Sequence, residues 1–276
     1  MQELTIFIAL STAAVWGANM PSVSGSGLLG AMTARAPVVN STVPAPSLRR
    51  FRPTTHRSAV SPVEAEFRRV GSLITRSKGR AIIEQGDPAT YVFRVVDGLL
   101  RAVLLLPDGR RYVVRFVWPD DFFGFGSADR HLYTVEAIVG VKLIRYKRAH
   151  LDELMAAHPQ ARLPVARAVD NELLSAQDHL LMLGRKTALE RVASFLVEMA
   201  ARRTDPAQIV GREARLPMTR VDIADYLGLT METVSRVLTR LRRRRIVALP
   251  TADRIVLLNR AALVRLAGCE AKMLRP

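Results

Sequence analysis

The apolar positions of this chain change rhythm along its length. From about residue 66 to 147 they come in short runs broken by turn residues. Ala81-Ile-Ile precedes Gly86-Asp-Pro, Tyr91 to Val96 precedes Asp97-Gly98, and Leu99 to Leu106 precedes Pro107-Asp-Gly109. Arg111 to Trp118 runs into Pro119-Asp-Asp, and Val135 to Tyr146 supplies the last strands. Asp-Gly pairs between apolar runs are hairpin signals, and many short strands at regular spacing predict a small antiparallel roll or barrel. Between 158 and 185 the period lengthens. Ala166, Val169, Leu173, Ala176, Leu180 and Leu183 recur at alternating three- and four-residue steps, the a/d seam of a helix that pairs with another helix. Pro164 suits its first turn and Gly184 its end. A helix packed only on its own roll is the plainer reading. Strict alternation, with small Ala166 and Ala176 permitting close approach, favours a partner helix.

The last third predicts a helix over Leu189 to Arg203 and a strand over Arg215 to Pro217. Next come two short helices and a β-hairpin wing made of Ile246-Val-Ala-Leu, Asp253-Arg254 and Ile255-Val-Leu-Leu. The first short helix has Thr219 as N-cap with Asp222 three residues on, a capping-box pairing. Val221, Ile223, Ala224 and Leu227 are its expected inward positions. Gly228 permits the turn, and Thr230 caps a second helix whose expected buried stripe is Val234, Val237, Leu238 and Leu241. Met231, Glu232, Thr233, Ser235, Arg236, Thr239 and Arg240 are left outward. Short acceptors and arginines at a helix N-terminus suit base edges in a major groove. An αα-hairpin with a solvated charged face would share much of this pattern. The turn position, the single acid Glu232, and six arginines between Arg236 and Arg245 weigh against it.

Composition sharpens that reading. The 276 residues suffice for two modest domains plus extensions. A formal charge of +16 calls for a polyanionic partner, nucleic acid or an anionic membrane. One cysteine, Cys269, allows no intramolecular disulfide and no four-cysteine metal or iron–sulfur site within a protomer; it reads as a small apolar residue. Residues 4 to 34 carry no charge, but the stretch before the apolar run has Glu3 and no Lys or Arg, so it is no signal peptide. The run is also too short to span a membrane. Pro21 to Pro62 is rich in Ser, Pro, Ala, Gly and Thr and is expected to be disordered. A start assigned too early, with Met20 or Met32 as the true one, is an equal alternative. Arg49, Arg50, Arg52 and Arg57 there read as solvated linker.

The segment Leu216-Pro-Met-Thr-Arg-Val-Asp-Ile-Ala-Asp-Tyr-Leu-Gly-Leu-Thr-Met-Glu-Thr-Val-Ser-Arg236 resembles the DNA-binding motif of the Crp/Fnr family of bacterial transcription regulators. It is most similar to the Fnr/FixK branch, and the resemblance spans roughly residues 65 to 265. That branch reads a TTGAT-like half-site with E-x-x-S-R, which implies Glu232, Ser235 and Arg236 as base-contacting residues here. Met231 and Ser235 stand where the cyclic-AMP receptor branch carries Arg and Gly. Thr219, Arg220, Thr230, Thr233, Arg240, Arg242, Arg243 and Arg244 are the expected backbone contacts. The resemblance also implies that the 166–183 seam joins two subunits on a two-fold axis. Double-stranded DNA, a second copy of the chain and RNA polymerase are the implied partners. It implies an activator acting in oxygen-limited, respiratory or nitrogen-fixation gene control. With a single cysteine the chain is closer to FixK-type members, which lack the cluster of the oxygen sensors.

The roll of that family binds a cyclic nucleotide through a Gly-Glu pair after an aromatic and an Arg-Ser/Thr-Ala about ten residues on. Here those stretches read Phe123-Gly124-Phe125-Gly126 and Tyr133-Thr134-Val135. Phe125 cannot accept a ribose hydroxyl, and Tyr133 brings no charge to offset a phosphate, so no cyclic nucleotide is expected. Arg130 and His131 nearby leave open another anion or a haem, though a lone loop histidine is more often polar surface. No catalytic motif is present, and His131 and His150 alone make no metal triad. The fold class expected is α+β. Its parts are an extension or mis-assigned start over 1–60, a cyclic-nucleotide-binding-like β-roll over 61–157, a dimerisation helix over 158–185, and a winged helix-turn-helix over 186–276. The protein expected is a cytoplasmic, non-enzymatic regulator without cofactor, metal or membrane partner. Two other classes stay in view. One is a ligand-binding regulatory subunit that signals to a partner protein, and the other is a basic membrane-associated protein anchored by its N-terminus.

Overall fold

A computed structural model describes residues 62–125, 129–202 and 213–268. The N-terminal extension, with Arg49, Arg50, Arg52 and Arg57, lies outside the described residues, as do Gly126 and Cys269. The first described element is a helix, α1 (Pro62–Val70), where strands are expected from about residue 66. Proline at its first position, Glu64 in its first turn and Arg68 and Arg69 in its last fit the helix dipole. Phe67 anchors it edge-on against Phe122 and Tyr146, and Val63 and Val70 follow on the same face.

The roll is two antiparallel sheets that share one core. β1 (Gly71–Arg76), β8 (Val141–Lys147), β3 (Tyr91–Asp97) and β6 (Phe122–Phe123) form one sheet in that order. β2 (Ala81–Ile83), β7 (Thr134–Ala137), β4 (Leu100–Leu105) and β5 (Arg111–Val117) form the other. Strand β1 has no clear signal in the sequence; its exposed Leu73 interrupts the period-two pattern at this sheet edge. Val95, Leu100, Val117, Phe123, Val135 and Leu143 meet with no exposure between the sheets, and Phe93 stacks on Phe123 at 5.1 Å. Each large apolar side chain so buried contributes about 1.5–3 kcal/mol. The hairpin turn at Asp97-Gly98 needs its glycine. Its φ is +99°, and a Cβ there would lie 2.5 Å from the Gly140 carbonyl.

Helix α2 (Arg148–Ala157) and a 3₁₀ turn (Pro159–Ala161) lead into α3 (Arg162–Arg185). At 24 residues, α3 is about 36 Å long. One face of it is used by this chain. Glu172 lies 3.6 Å from the Arg115 guanidinium of β5, and His179 and Met182 are buried. The seam expected for a partner helix lies beside that face and is divided. Ala166 and Leu180 are exposed, Val169, Leu173 and Ala176 are half-buried, and Leu183 packs toward Gly228. Leu163, Leu174 and Leu181, which the seam did not include, are exposed at 54%, 47% and 51%.

His179 sits where three elements meet. Its Nε2 shares a 2.7 Å hydrogen bond with the Tyr112 hydroxyl, and its ring lies 4.2 Å from that of Tyr226. Burial, with the nearby Arg191 charge, pushes its pKa down from 6.5 to about 4. Because the folded value is depressed, the unfolded chain binds the proton first. The stability held by neutral His179 is therefore complete above pH 6.5 and lost as pH falls toward 4. Acidification from pH 7 to pH 5 is expected to cost about 2 kcal/mol through this residue. Thermal melts of wild type and His179→Gln at the two pH values measure it, as a smaller acid loss in the variant.

The C-terminal domain comprises α4 (Ala188–Ala201), β9 (Glu213–Arg215), α5 (Arg220–Leu227), α6 (Met231–Arg243), β10 (Val247–Thr251), β11 (Arg254–Leu257) and α7 (Arg260–Leu266). β9, β11 and β10 make the wing sheet, with β11 in the middle. Thr187 and Glu190 form a capping box at the start of α4. Leu196, Leu216, Ile223, Leu227, Val234, Leu241 and Ile255 pack this domain's core.

Candidate nucleic-acid interface

Helices α5 and α6 are set by local chemistry that the sequence announces. The Thr219 hydroxyl accepts from the Asp222 amide at 3.1 Å, and an Asp222 carboxylate oxygen accepts from the Thr219 amide at 3.0 Å, completing the capping box. Gly228 ends α5 in the left-handed region, at φ +60° and ψ +42°. The Thr230 hydroxyl accepts from the Thr233 amide and starts α6. Arg191 then staples the assembly. It donates to the Leu183 carbonyl at the end of α3, to Lys186 just beyond it, and to Leu227 at the end of α5, at 2.7, 2.9 and 2.9 Å. A cation at two helix C-termini satisfies carbonyls that have no helical donor.

In α6, Val234, Leu238 and Leu241 are buried and Val237 is partly buried, the stripe read from the sequence. In α5 the expected inward set needs a correction. Ile223, Ala224 and Leu227 are buried, but Val221 is 45% exposed and Asp222 has no exposure at all. The cap draws the Asp222 side chain inward, and two roll arginines compensate its charge there: Arg101 Nη1 and Arg111 Nη2 each donate to Oδ1 at 2.6 Å. Burial alone would raise the Asp222 carboxyl. The Thr219 hydroxyl and amide and the arginines outweigh that and hold it below the usual range. No local period shows partners more than a hundred residues away. Thr219 and Asp222 are visible in the sequence as a cap, whereas Tyr226, packed among Phe116, Phe195 and His179, carries no sequence signal of that role.

The outward face of α6 presents Met231, Glu232, Ser235 and Arg236 to solvent. Glu232 and Arg236, 69% and 73% exposed, form an ion pair one helical turn apart. Acceptor, hydroxyl and guanidinium thus sit together on the first two turns of an N-capped helix. Arg240, Arg242, Arg243 and Arg244 are exposed beyond them, and Thr219 and Thr230 lie exposed at the two helix starts. Arg220 is placed otherwise. It is half-buried and reaches from α5 to the wing, where Nη2 donates to the Ala252 carbonyl at 3.3 Å. If Arg242 and Arg243 neutralise phosphates, Arg242→Gln/Arg243→Gln should weaken cognate and scrambled duplexes by the same factor. It should also reduce the slope of log affinity against log salt by about 2. Titrations at several salt concentrations check this.

In the roll, the Arg130 guanidinium donates to the Gly86 carbonyl at 2.6 Å, and the His131 backbone pairs with Gly86 and Asp87. Both residues are therefore tied to the β2–β3 turn, and His131 is buried rather than the polar surface expected. Arg148 donates to the Gly124 carbonyl at 2.9 Å, beside the stretch that carries the Glu in nucleotide-binding rolls. Among the described residues no group of three potential metal ligands comes together, and no helix is long and apolar enough to cross a membrane.

Two family models match the chain: a Crp-like helix-turn-helix domain over residues 190–266 and a cyclic nucleotide-binding domain over residues 74–158. The chain is 42% identical over 189 residues to the nitrogen fixation regulation protein FixK of Rhizobium meliloti, covering 68% of this chain and 84% of that one. It is 39% identical over 197 residues to the FixK of Azorhizobium caulinodans, covering 71% and 79%. Among solved structures it is similar to FixK2 from Bradyrhizobium japonicum, with a TM-score of 0.66 and 41% identity over 71% of this chain and 97% of that one.

Proposed function

Because this chain belongs to the Crp/Fnr family of DNA-binding transcription regulators, we propose that it acts as a homodimer on a TTGAT-spacer-ATCAA palindrome and needs no small-molecule effector. The observation that carries this is the open face of α6, where Glu232, Ser235 and Arg236 stand exposed on a capped helix. Arg236 donates two hydrogen bonds to the guanine of the half-site. Glu232 accepts from a base amino group on the facing strand, and Ser235 meets a thymine. Thr219, Thr230, Thr233 and the arginines of α6 hold the phosphates, which supply affinity without sequence information.

The dimer joins along α3, through exposed Leu163, Leu174, Leu180 and Leu181 and their half-buried neighbours Val169 and Leu173. Two-fold symmetry then presents the two recognition helices to successive turns of one duplex face. Phe125 and Tyr133 argue against a cyclic nucleotide in the roll, so DNA-binding competence belongs to the chain as folded. The protein recruits RNA polymerase as an activator. The names of its relatives support a place in nitrogen-fixation or oxygen-limited gene control.

Footprinting with purified full chain and no additive tests the reading. Both halves of the palindrome should be protected at a concentration that leaves scrambled DNA open, and adding cyclic AMP should change nothing. Protection that requires an added ligand would overturn effector independence.

A further inference from the structure

The capping role of Asp222 engages only one of its carboxylate oxygens. Oδ2 accepts from the Thr219 amide and hydroxyl at 3.0 and 2.8 Å, and nothing more is required to start α5. Oδ1 instead accepts from Arg101 and Arg111, on adjacent strands β4 and β5 of the roll. Each arginine has a second carboxylate. Arg101 donates through Nε and Nη2 to Glu136 of β7 at 2.9 and 2.7 Å, and Arg111 donates through Nε to Asp225 of α5 at 2.8 Å. The chain Glu136–Arg101–Asp222–Arg111–Asp225 therefore runs from the roll sheet into the first helix of the reading head. Its central side chain is 1% exposed. Tyr226, on the next turn of α5, closes the same contact with Phe116 of β5 at 5.1 Å.

We propose that Arg101 and Arg111 are positioning residues for DNA reading: through Asp222 and Asp225 they fix the orientation of the helix-turn-helix on the roll, and the orientation they fix is the DNA-competent one. Two observations carry this. First, one carboxylate serves both the cap and the roll, so the reading head cannot rotate away without breaking charge-assisted bonds on a fully buried group. Second, in this engaged state the base-reading side chains Glu232 and Arg236 remain 69% and 73% exposed, so the contact does not occlude them. The face that reads bases is therefore open to a duplex while the roll contact, the latch, is made. The roll, with no nucleotide to sense, then acts mechanically, holding each reading head at the angle that lets both meet the DNA. This rests on the palindrome reading above, and the test separates the two.

The protein is the full chain carrying Cys269→Ser, with Lys142→Cys in the roll and Arg260→Cys on α7 as label sites, with and without Arg101→Met/Arg111→Met. Distances between the two labels of one chain are measured without DNA, with labelled chain mixed into an excess of unlabelled chain, and affinities are measured for the palindrome and for a single half-site. The latch predicts a narrow distance distribution that broadens in the double variant. It also predicts that palindrome affinity falls about tenfold or more, while half-site affinity stays within about twofold. An unchanged distribution, or half-site and palindrome affinities falling in step, would overturn it. If the double variant does not fold, Arg111→Lys replaces it. Lysine keeps the charge but lacks the fork that spans Asp222 and Asp225, so a smaller loss confined to the palindrome is expected, and full retention of palindrome affinity would overturn the latch. If wild type shows no preference for the palindrome, the sequence reading fails, and the label distances still decide the latch.

Discussion

Leu174→Glu/Leu180→Glu/Leu181→Glu is expected to turn the proposed dimer into a folded monomer and to abolish tight binding to the palindrome. The three leucines are 47%, 39% and 51% exposed in the single chain, so their side chains hold little of the protomer together. Burying them against a second α3 returns about 0.8 kcal/mol per methylene removed from water. Three facing carboxylates would reverse that with repulsion and desolvation. Losing the second reading head removes an intramolecular second contact, a loss on the order of a hundredfold or more in palindrome affinity. Sedimentation equilibrium should show a monomer, while circular dichroism and binding to a single half-site stay near wild type. A dimer that survives all three changes would move the interface off this helix.

Arg236→Ala is expected to remove sequence discrimination while leaving the fold intact. The side chain is 73% exposed and its ion pair with Glu232 is a surface pair, worth little to stability. A bidentate contact to guanine discriminates by about 1–3 kcal/mol. A dimer loses that twice, so cognate binding should fall steeply while scrambled DNA loses only a general electrostatic contribution. Competition titrations of cognate against scrambled duplex read the ratio. Equal loss on both would mean that Arg236 only neutralises phosphate.

What is legible in the sequence is whatever is encoded locally. The capping box at Thr219, the left-handed Gly228, the Thr230 cap and the Val234–Leu241 stripe all involve residues within a few positions of one another. The hairpins around Asp97-Gly98 and Asp108-Gly109 are readable for the same reason. The misses are tertiary. Val221 and Asp222 exchange places because the charge that makes burial of Asp222 tolerable comes from Arg101 and Arg111 in another domain. Helix α1 is hidden by the Pro- and Ser-rich text before it, and its tertiary contacts, Phe67 with Val63 and Val70 against the roll and Glu64 with Arg94, are not visible locally. The α3 seam divides because one helix answers to several surfaces: its own roll through Glu172, the domain junction through His179 and Met182, and the reading head through Leu183. A heptad count cannot assign those faces.

The most direct test of base reading by α6 is an equilibrium titration of full chain, at one fixed salt concentration and without additive. Three duplexes are compared: the TTGAT-spacer-ATCAA palindrome, the same duplex with the guanine of each half replaced by adenine, and a scrambled sequence. Base reading predicts the tightest binding to the palindrome. It predicts binding at least about tenfold weaker when the guanines are replaced, and about a thousandfold weaker on scrambled DNA. Three affinities within about threefold of one another, the pattern of purely electrostatic binding, would contradict it.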